Sequence, residues 1–245
     1  MGLRLIASVG ISVGVCVQLT SGAWKDPSPH RTQFIQATPA VKLEVLDWGG
    51  AGRPIVLLPG GGDTAHVFDD FAPKLVADGF HVYGITRRGF GASGFAESEA
   101  DAGTDRFGDD VVAVLDALAL KAPVLVGHSF GGAEMSSVAN RHAGRVAGLI
   151  YLDAGYPYAF DNGNVPTMKD FEALRAPDGT EPAVREQVKA FTAALTMLIE
   201  RQIKAVETSV PTARVVRLSG ANHYVYLSHE ADVLREMRTF LSGLR

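Results

Sequence analysis

The serine at position 129 stands in the run Gly127-His128-Ser129-Phe130-Gly131, a G-x-S-x-G spacing that has mechanical meaning where a strand turns sharply into a helix. A turn that tight strains the serine backbone and leaves no room for neighbouring side chains, and Gly127, Gly131 and Gly132 meet that demand. A hydroxyl is a poor nucleophile until a base takes its proton. Among the seven histidines, His223 is the best base, because it follows the apolar segment Ala213 to Leu218, read as a strand, through the loop Ser219-Gly220-Ala221-Asn222. His128 is fixed inside the turn and His229 lies in or beside the last helix. His30, His66, His81 and His142 precede or lie away from the expected place. The imidazole needs an acceptor that holds its tautomer and stabilises its cation. Asp153 is the first choice, since it ends the strand after the turn's helix and gives the chain order Ser, Asp, His. Asp161, Asp170 and Asp178 are less well placed reserves.

Such a set could attack an acyl carbon, provided that the oxyanion formed is received by backbone donors. The N–H of Phe130, next to the serine, is one candidate donor. The other comes from Gly60-Gly61-Gly62, with Gly61 the first choice, because a residue without Cβ allows the close approach required. The glycine run is not a phosphate loop, since no Gly-Lys-Ser/Thr follows it.

These residues need elements to hold them. Val41 to Trp48, Ile55 to Leu58, Phe80 to Ile85, Pro123 to Val126 and Ala147 to Leu152 read as strands, several of them short apolar runs that suit burial on both faces. Phe68 to Asp78, Phe107 to Leu118, Gly131 to His142 and Glu230 to Leu241 carry helical spacing. Strands alternating with helices imply parallel βαβ units, hence an α/β domain with a mostly parallel twisted sheet and helices on both faces. Sites in such sheets form at the carboxyl ends of strands, where Ser129, Asp153 and His223 are all expected. From Gly155 to about Glu207 the pattern changes to prolines, the aromatics Tyr156, Tyr158 and Phe160, and one long helix from about Ala183 to Val206. This excursion, about residues 155–207, is expected to form a small helical lid, and its aromatics are candidates for the lining of an acyl pocket.

At 245 residues and 47% apolar content the chain can bury one substantial core. One domain is expected, over residues 32–245. A net charge of -4, from 23 basic and 27 acidic residues, leaves no cationic surplus for a phosphate backbone, so nucleic acid is not an expected partner. In residues 1–23, Arg4 precedes an apolar run from Leu5 to Leu19 that is too short to span a bilayer, and Ser21 and Ala23 precede Trp24 as in a secretory signal peptide. A secreted or periplasmic location follows as an expectation, with a cytoplasmic one if the segment is not a leader. Cys16 is the one cysteine, so a cleaved chain has no thiol for a disulfide, a metal or a nucleophile.

With these motifs in place the chain resembles the α/β-hydrolase superfamily over roughly residues 40 to 243. The loop Arg87-Arg88-Gly89-Phe90-Gly91-Ala92-Ser93 is similar to the Arg-Gly-x-Gly-x-Ser turn of that family, where its role is structural. The resemblance implies hydrolysis of carboxylic esters or related small acyl compounds through an acyl-serine intermediate, with no metal or organic cofactor. Members with Asp at the elbow cleave epoxides or carbon–halogen bonds, so Ser129 points to acyl substrates. Members usually place another buried strand, often bearing the acid, before the histidine strand, and no such run is found here. Either Asp153 is the acid, one strand earlier, or a segment is lost, which would weaken the fold and disorder the loop of His223. The alternative function is a catalytically inactive scaffold that binds a small ligand.

Overall fold

The computed structural model describes residues 29–95, 103–154 and 182–244. Six strands form one sheet: β1 (Arg31–Gln36), β2 (Lys42–Gly49), β3 (Pro54–Leu58), β4 (His81–Ile85), β5 (Val124–His128) and β6 (Gly148–Leu152), in the order β1-β2-β4-β3-β5-β6. β4, β3, β5 and β6 run parallel, while β2 is antiparallel to both β1 and β4. The helices are α1 (Ala72–Ala77), α2 (Thr104–Ala117), α3 (Gly131–Arg141), α4 (Pro182–Ser209), α5 (Val225–Ser228) and α6 (Glu230–Gly243), with 3-10 turns at Ala65–Phe68 and Ala143–Arg145.

The strand alternation sorts side chains to two cores, one on each face of the sheet. Ile55, Leu57, Val124 and Val126 meet Phe68, Leu75, Tyr226, Leu234 and Met237 on one side. Val56, Leu58 and Leu125 meet Val111, Val114, Leu115, Met135 and Val138 of α2 and α3 on the other. Burial on both faces explains why β3 and β5 read as unbroken apolar runs.

β1 lies in a stretch that reads as polar and irregular in the sequence. It forms as an edge strand whose side chains are mostly exposed, with Ile35 buried. Its six residues all pair with β2, and this backbone ladder needs no apolar alternation.

One expected strand is absent. Ala213 to Leu218 has no strand partner, and among the described residues the sheet ends at β6. Its arginines are directed elsewhere: Arg217 donates to Glu207 Oε1 of α4 at 2.8 Å and Arg214 pairs with Glu236 Oε2 of α6 at 2.6 Å. Val216 is left exposed. Side-chain ties to two helices thus replace the ladder that the apolar spacing suggested.

The leader-like residues 1–23 lie outside the described residues, as do Tyr156, Tyr158, Phe160, Asp161, Asp170 and Asp178. Of the expected lid, α4 is described, and most of its described side chains are exposed. No described helix is long and apolar enough to cross a membrane.

Backbone amides of Val124 to Gly127, buried in the sheet, are expected to exchange with deuterium far more slowly than those of Val215 to Leu218. Hydrogen-exchange mass spectrometry checks this, and equal protection of both segments would mean that Ala213 to Leu218 joins the sheet after all.

Candidate active site

Ser129 is the first residue beyond β5 and Asp153 the first beyond β6. The two strands are parallel neighbours with His128 opposite Leu152, so register alone sets the serine and the aspartate side by side on one rim. The Ser129 N–H donates to Leu152 O at 3.4 Å. Both residues occupy the left-handed region, Ser129 at φ 49° and Asp153 at φ 45°, a conformation that costs a non-glycine residue roughly 1–3 kcal/mol and recurs at functional sites.

The elbow keeps that strain because its surroundings allow no alternative. A Cβ on Gly127 would meet the backbone carbon of Gly131 at 2.6 Å, and one on Gly131 would meet Leu58 O at 2.4 Å. Helix α3 therefore packs its first turn directly against β3 and β5. The positive end of its dipole lies at the rim where Ser129 sits, and its Gly132 and Ala133 N–H groups donate to Ser129 O and Phe130 O, both at 3.0 Å.

His223 Nδ1–H donates to Asp153 Oδ2 at 2.7 Å, with both side chains about half exposed, at 52% and 48%. Ser129 is brought to the same rim, but among the described residues its hydroxyl makes no hydrogen bond to His223. Such bonds are commonly long in a free site and tighten when substrate arrives. Gly61 and Phe130 also come together: a Cβ on Gly61 would lie 3.9 Å from Phe130 Cβ. Among the described residues neither of their N–H groups is engaged in a backbone hydrogen bond. The five residues singled out in the sequence thus share one end of the sheet.

Three further residues position them. His128 is buried and donates from Nε2–H to the backbone carbonyl of His223 at 3.0 Å. Only a donor can face a carbonyl, so this bond fixes the tautomer and leaves Nδ1 without a proton; that atom is buried with no partner among the described residues. Tyr226 is buried between Phe68 and Phe71, with ring centroids at 5.1 and 5.6 Å, and Tyr224 donates to Asp63 Oδ2 at 3.3 Å. The His223 loop is held by these contacts, not by a preceding strand.

Arg87 does for the glycine loop what His128 does for His223. Its guanidinium donates to Pro59 O at 2.7 Å and Gly60 O at 3.0 Å, forms an ion pair with Glu134 of α3, and lies 4.8 Å from the Phe130 ring centroid. One cation therefore ties the loop bearing Gly61 to the helix that follows Ser129. Burial pushes the Glu134 carboxyl above its ordinary range, and the Arg87 charge opposes that rise. Spacing alone gave no sign of this, because the arginine sits in a turn between β4 and α2 and reaches the loop only in space. The neighbouring Arg88 pairs with Asp110 of α2, donating to Oδ2 at 2.6 Å, and fastens the turn itself.

A family profile described as the alpha/beta hydrolase fold matches residues 53–176. The chain belongs to that family. It is 35% identical over 152 residues to a non-heme haloperoxidase from Rhodococcus erythropolis, covering 62% of this chain and 53% of that one. It is 29% identical over 143 residues to epoxide hydrolase A from Mycobacterium tuberculosis, covering 58% and 44%. The chain thus spans about half the length of the curated relatives it matches. Among solved structures, that of a predicted CIB-like hydrolase from Thermoplasma acidophilum superposes with a TM-score of 0.61 at 19% identity, covering 88% of this chain and 99% of the other.

Removing Arg87 alone strands a buried carboxylate, so Arg87→Met is expected to cost about 3–5 kcal/mol in urea unfolding. The double variant Arg87→Met/Glu134→Leu should recover most of that stability while the glycine loop stays untethered. His128 gives a pH signature. Burial depresses its imidazole below the ordinary 6.5, the hydrogen bond to the His223 carbonyl opposing this and the His223 charge adding to it. The unfolded chain therefore takes the proton first, so the stability is whole above that value and is lost as pH falls through it toward the folded one. His128→Asn should show a shallower loss of unfolding free energy than the wild type from about pH 7 to about pH 5.

Proposed function

We propose that the protein is a serine hydrolase of carboxylic esters or related small acyl compounds, with Ser129 as nucleophile, His223 as general base and Asp153 as its orienting acid. The observation that carries the reading is the 2.7 Å bond from His223 to Asp153 beside a serine held at φ 49°. The imidazole Nε2 would take the Ser129 proton as Oγ attacks the acyl carbon. The oxyanion would be received by the N–H groups of Phe130 and Gly61. The same proton would then pass to the leaving alkoxide, and water, deprotonated by His223, would release the acid from the acyl-serine.

The serine also favours acyl chemistry over epoxide opening, the activity in the name of one relative. Attack of Ser129 on an epoxide would form an alkyl ether, which has no carbonyl for water to attack, so turnover would stop after one event. An acyl-serine has such a carbonyl and can be hydrolysed. The second reading, a scaffold that binds a ligand without turning it over, draws on two observations among the described residues: the sheet ends at β6, and no bond runs from Ser129 to His223.

Hydrolysis of short-chain p-nitrophenyl esters separates the two. An enzyme should release a burst of nitrophenolate stoichiometric with Ser129, followed by steady turnover, and Asp153→Asn should lower kcat on the order of 10³-fold or more. Arg87→Met/Glu134→Leu should lower kcat by about 10–100-fold, less than the loss of an oxyanion donor itself, while KM changes little. Folded protein with no burst and no turnover on any acyl length, yet with saturable binding of the same acids, would favour the scaffold.

A further inference from the structure

We propose that His30, His66 and Asp69 form a binding site for a divalent transition-metal ion of the zinc type, separate from the residues of the candidate active site. The three side chains converge from the start of β1 and from the turn that follows the glycine loop, and they can each offer a ligand atom within 4.8 Å of the others. His30 Nδ1 lies 2.9 Å from Asp69 Oδ1, and His66 Nδ1 lies 3.3 Å from Asp69 Oδ2. Around a four-coordinate zinc with bonds of about 2.0–2.1 Å, ligand atoms are separated by about 3.3 Å. The cluster therefore needs only small movements to close on a cation, with a water molecule completing the tetrahedron. Two imidazoles and a carboxylate are the donors that zinc, cobalt and nickel accept, whereas calcium and magnesium prefer oxygen alone.

His66 faces carboxylates from both ring nitrogens: Nδ1 toward Asp69 and Nε2 toward Glu44 Oε1 at 3.4 Å. A neutral imidazole has one N–H and can satisfy only one of them. A cation on the Nδ1 side removes the conflict, because Nδ1 then gives its lone pair to the metal while Nε2–H donates to Glu44. That is the carboxylate–histidine–metal relay by which outer partners orient ligating histidines. Glu44 is itself buried and accepts a hydrogen bond from Thr86 Oγ1 at 2.7 Å. On the other side, Trp48 Nε1 donates to Asp69 Oδ1 at 3.2 Å, which leaves Oδ2 for the cation. The two carboxylates place negative charge at the spot, and burial of His30, with 2% of its side chain exposed, contrasts with 36% for His66 and 21% for Asp69. The site is thus anchored inside and reachable from solvent. A bound ion would clip the start of β1 to the 65–69 turn and stiffen the edge of the sheet on which that turn rests.

The test uses the whole chain, stripped with EDTA and titrated with zinc chloride by isothermal calorimetry. One equivalent should bind with micromolar or tighter affinity. The thermal midpoint should rise by about 5–10 °C at a hundredfold excess over the dissociation constant and fall again on adding EDTA. Magnesium should do neither. Asp69→Asn and His66→Gln, checked for folding by circular dichroism, should each lose the tight equivalent. Should either variant fail to fold, cobalt added to the wild type gives an independent reading, since a four-coordinate nitrogen and oxygen site produces intense visible absorption bands. Absence of a tight equivalent in the wild type would overturn the proposal, and so would zinc binding unchanged in both variants, or a cobalt spectrum of the hydrated ion only.

Discussion

The steric collision that would follow from any side chain at Gly127 or Gly131 governs the rest of this structure. Because a Cβ there would sit 2.4–2.6 Å from backbone atoms, α3 can start immediately beside β3 and β5, and Ser129 must turn through the left-handed region to connect strand and helix. Strain on the order of 1–3 kcal/mol is held by the two cores on either face of the sheet. The same turn sets Ser129 beside the N-terminus of α3, the positive end of its dipole. Relaxing the elbow would lose that placement.

Everything else on the rim is placed by register or by side chains reaching across. The in-register pairing of β5 with β6 sets Asp153 beside Ser129, and Asp is a residue type that tolerates the left-handed conformation found there. The glycine loop and the His223 loop have no such ladder. They depend on Arg87, which bonds two loop carbonyls, and on His128, which bonds the carbonyl of His223 itself. A sheet that among the described residues ends at β6 thus still has a means of holding a histidine where a strand would otherwise deliver it. The His223–Asp153 pair held in this way is half exposed.

Legibility in the sequence followed the range of the interactions. The parallel strands and their flanking helices were readable because both faces of β3 and β5 are buried and the apolar runs say so. Ser129 and Asp153 were readable because each follows directly from the end of a strand, and Gly61 because it lies in the glycine run just after β3. β1 was not, because an edge strand held by backbone pairing carries no apolar pattern. Ala213 to Leu218 misled for the opposite reason: its apolar residues suit a strand, but Arg214 and Arg217 satisfy themselves on α6 and α4. Arg87 and the cluster of His30, His66 and Asp69 were invisible, because their partners are brought together by tertiary packing alone. No spacing rule connects residue 87 with residue 60, or residue 30 with residue 69.

On the proposed reading the elbow, the histidine and Asp153 act as one unit that activates Ser129. Reaction with a fluorophosphonate probe, followed by mass-spectrometric mapping of the adduct, tests it without knowledge of the substrate. Rapid labelling is expected on the peptide containing Ser129, with none in Ser129→Ala and a sharp fall in rate in Asp153→Asn. Folded wild-type protein that never labels would contradict the claim of an activated serine, and undiminished labelling in Asp153→Asn would remove Asp153 from the unit.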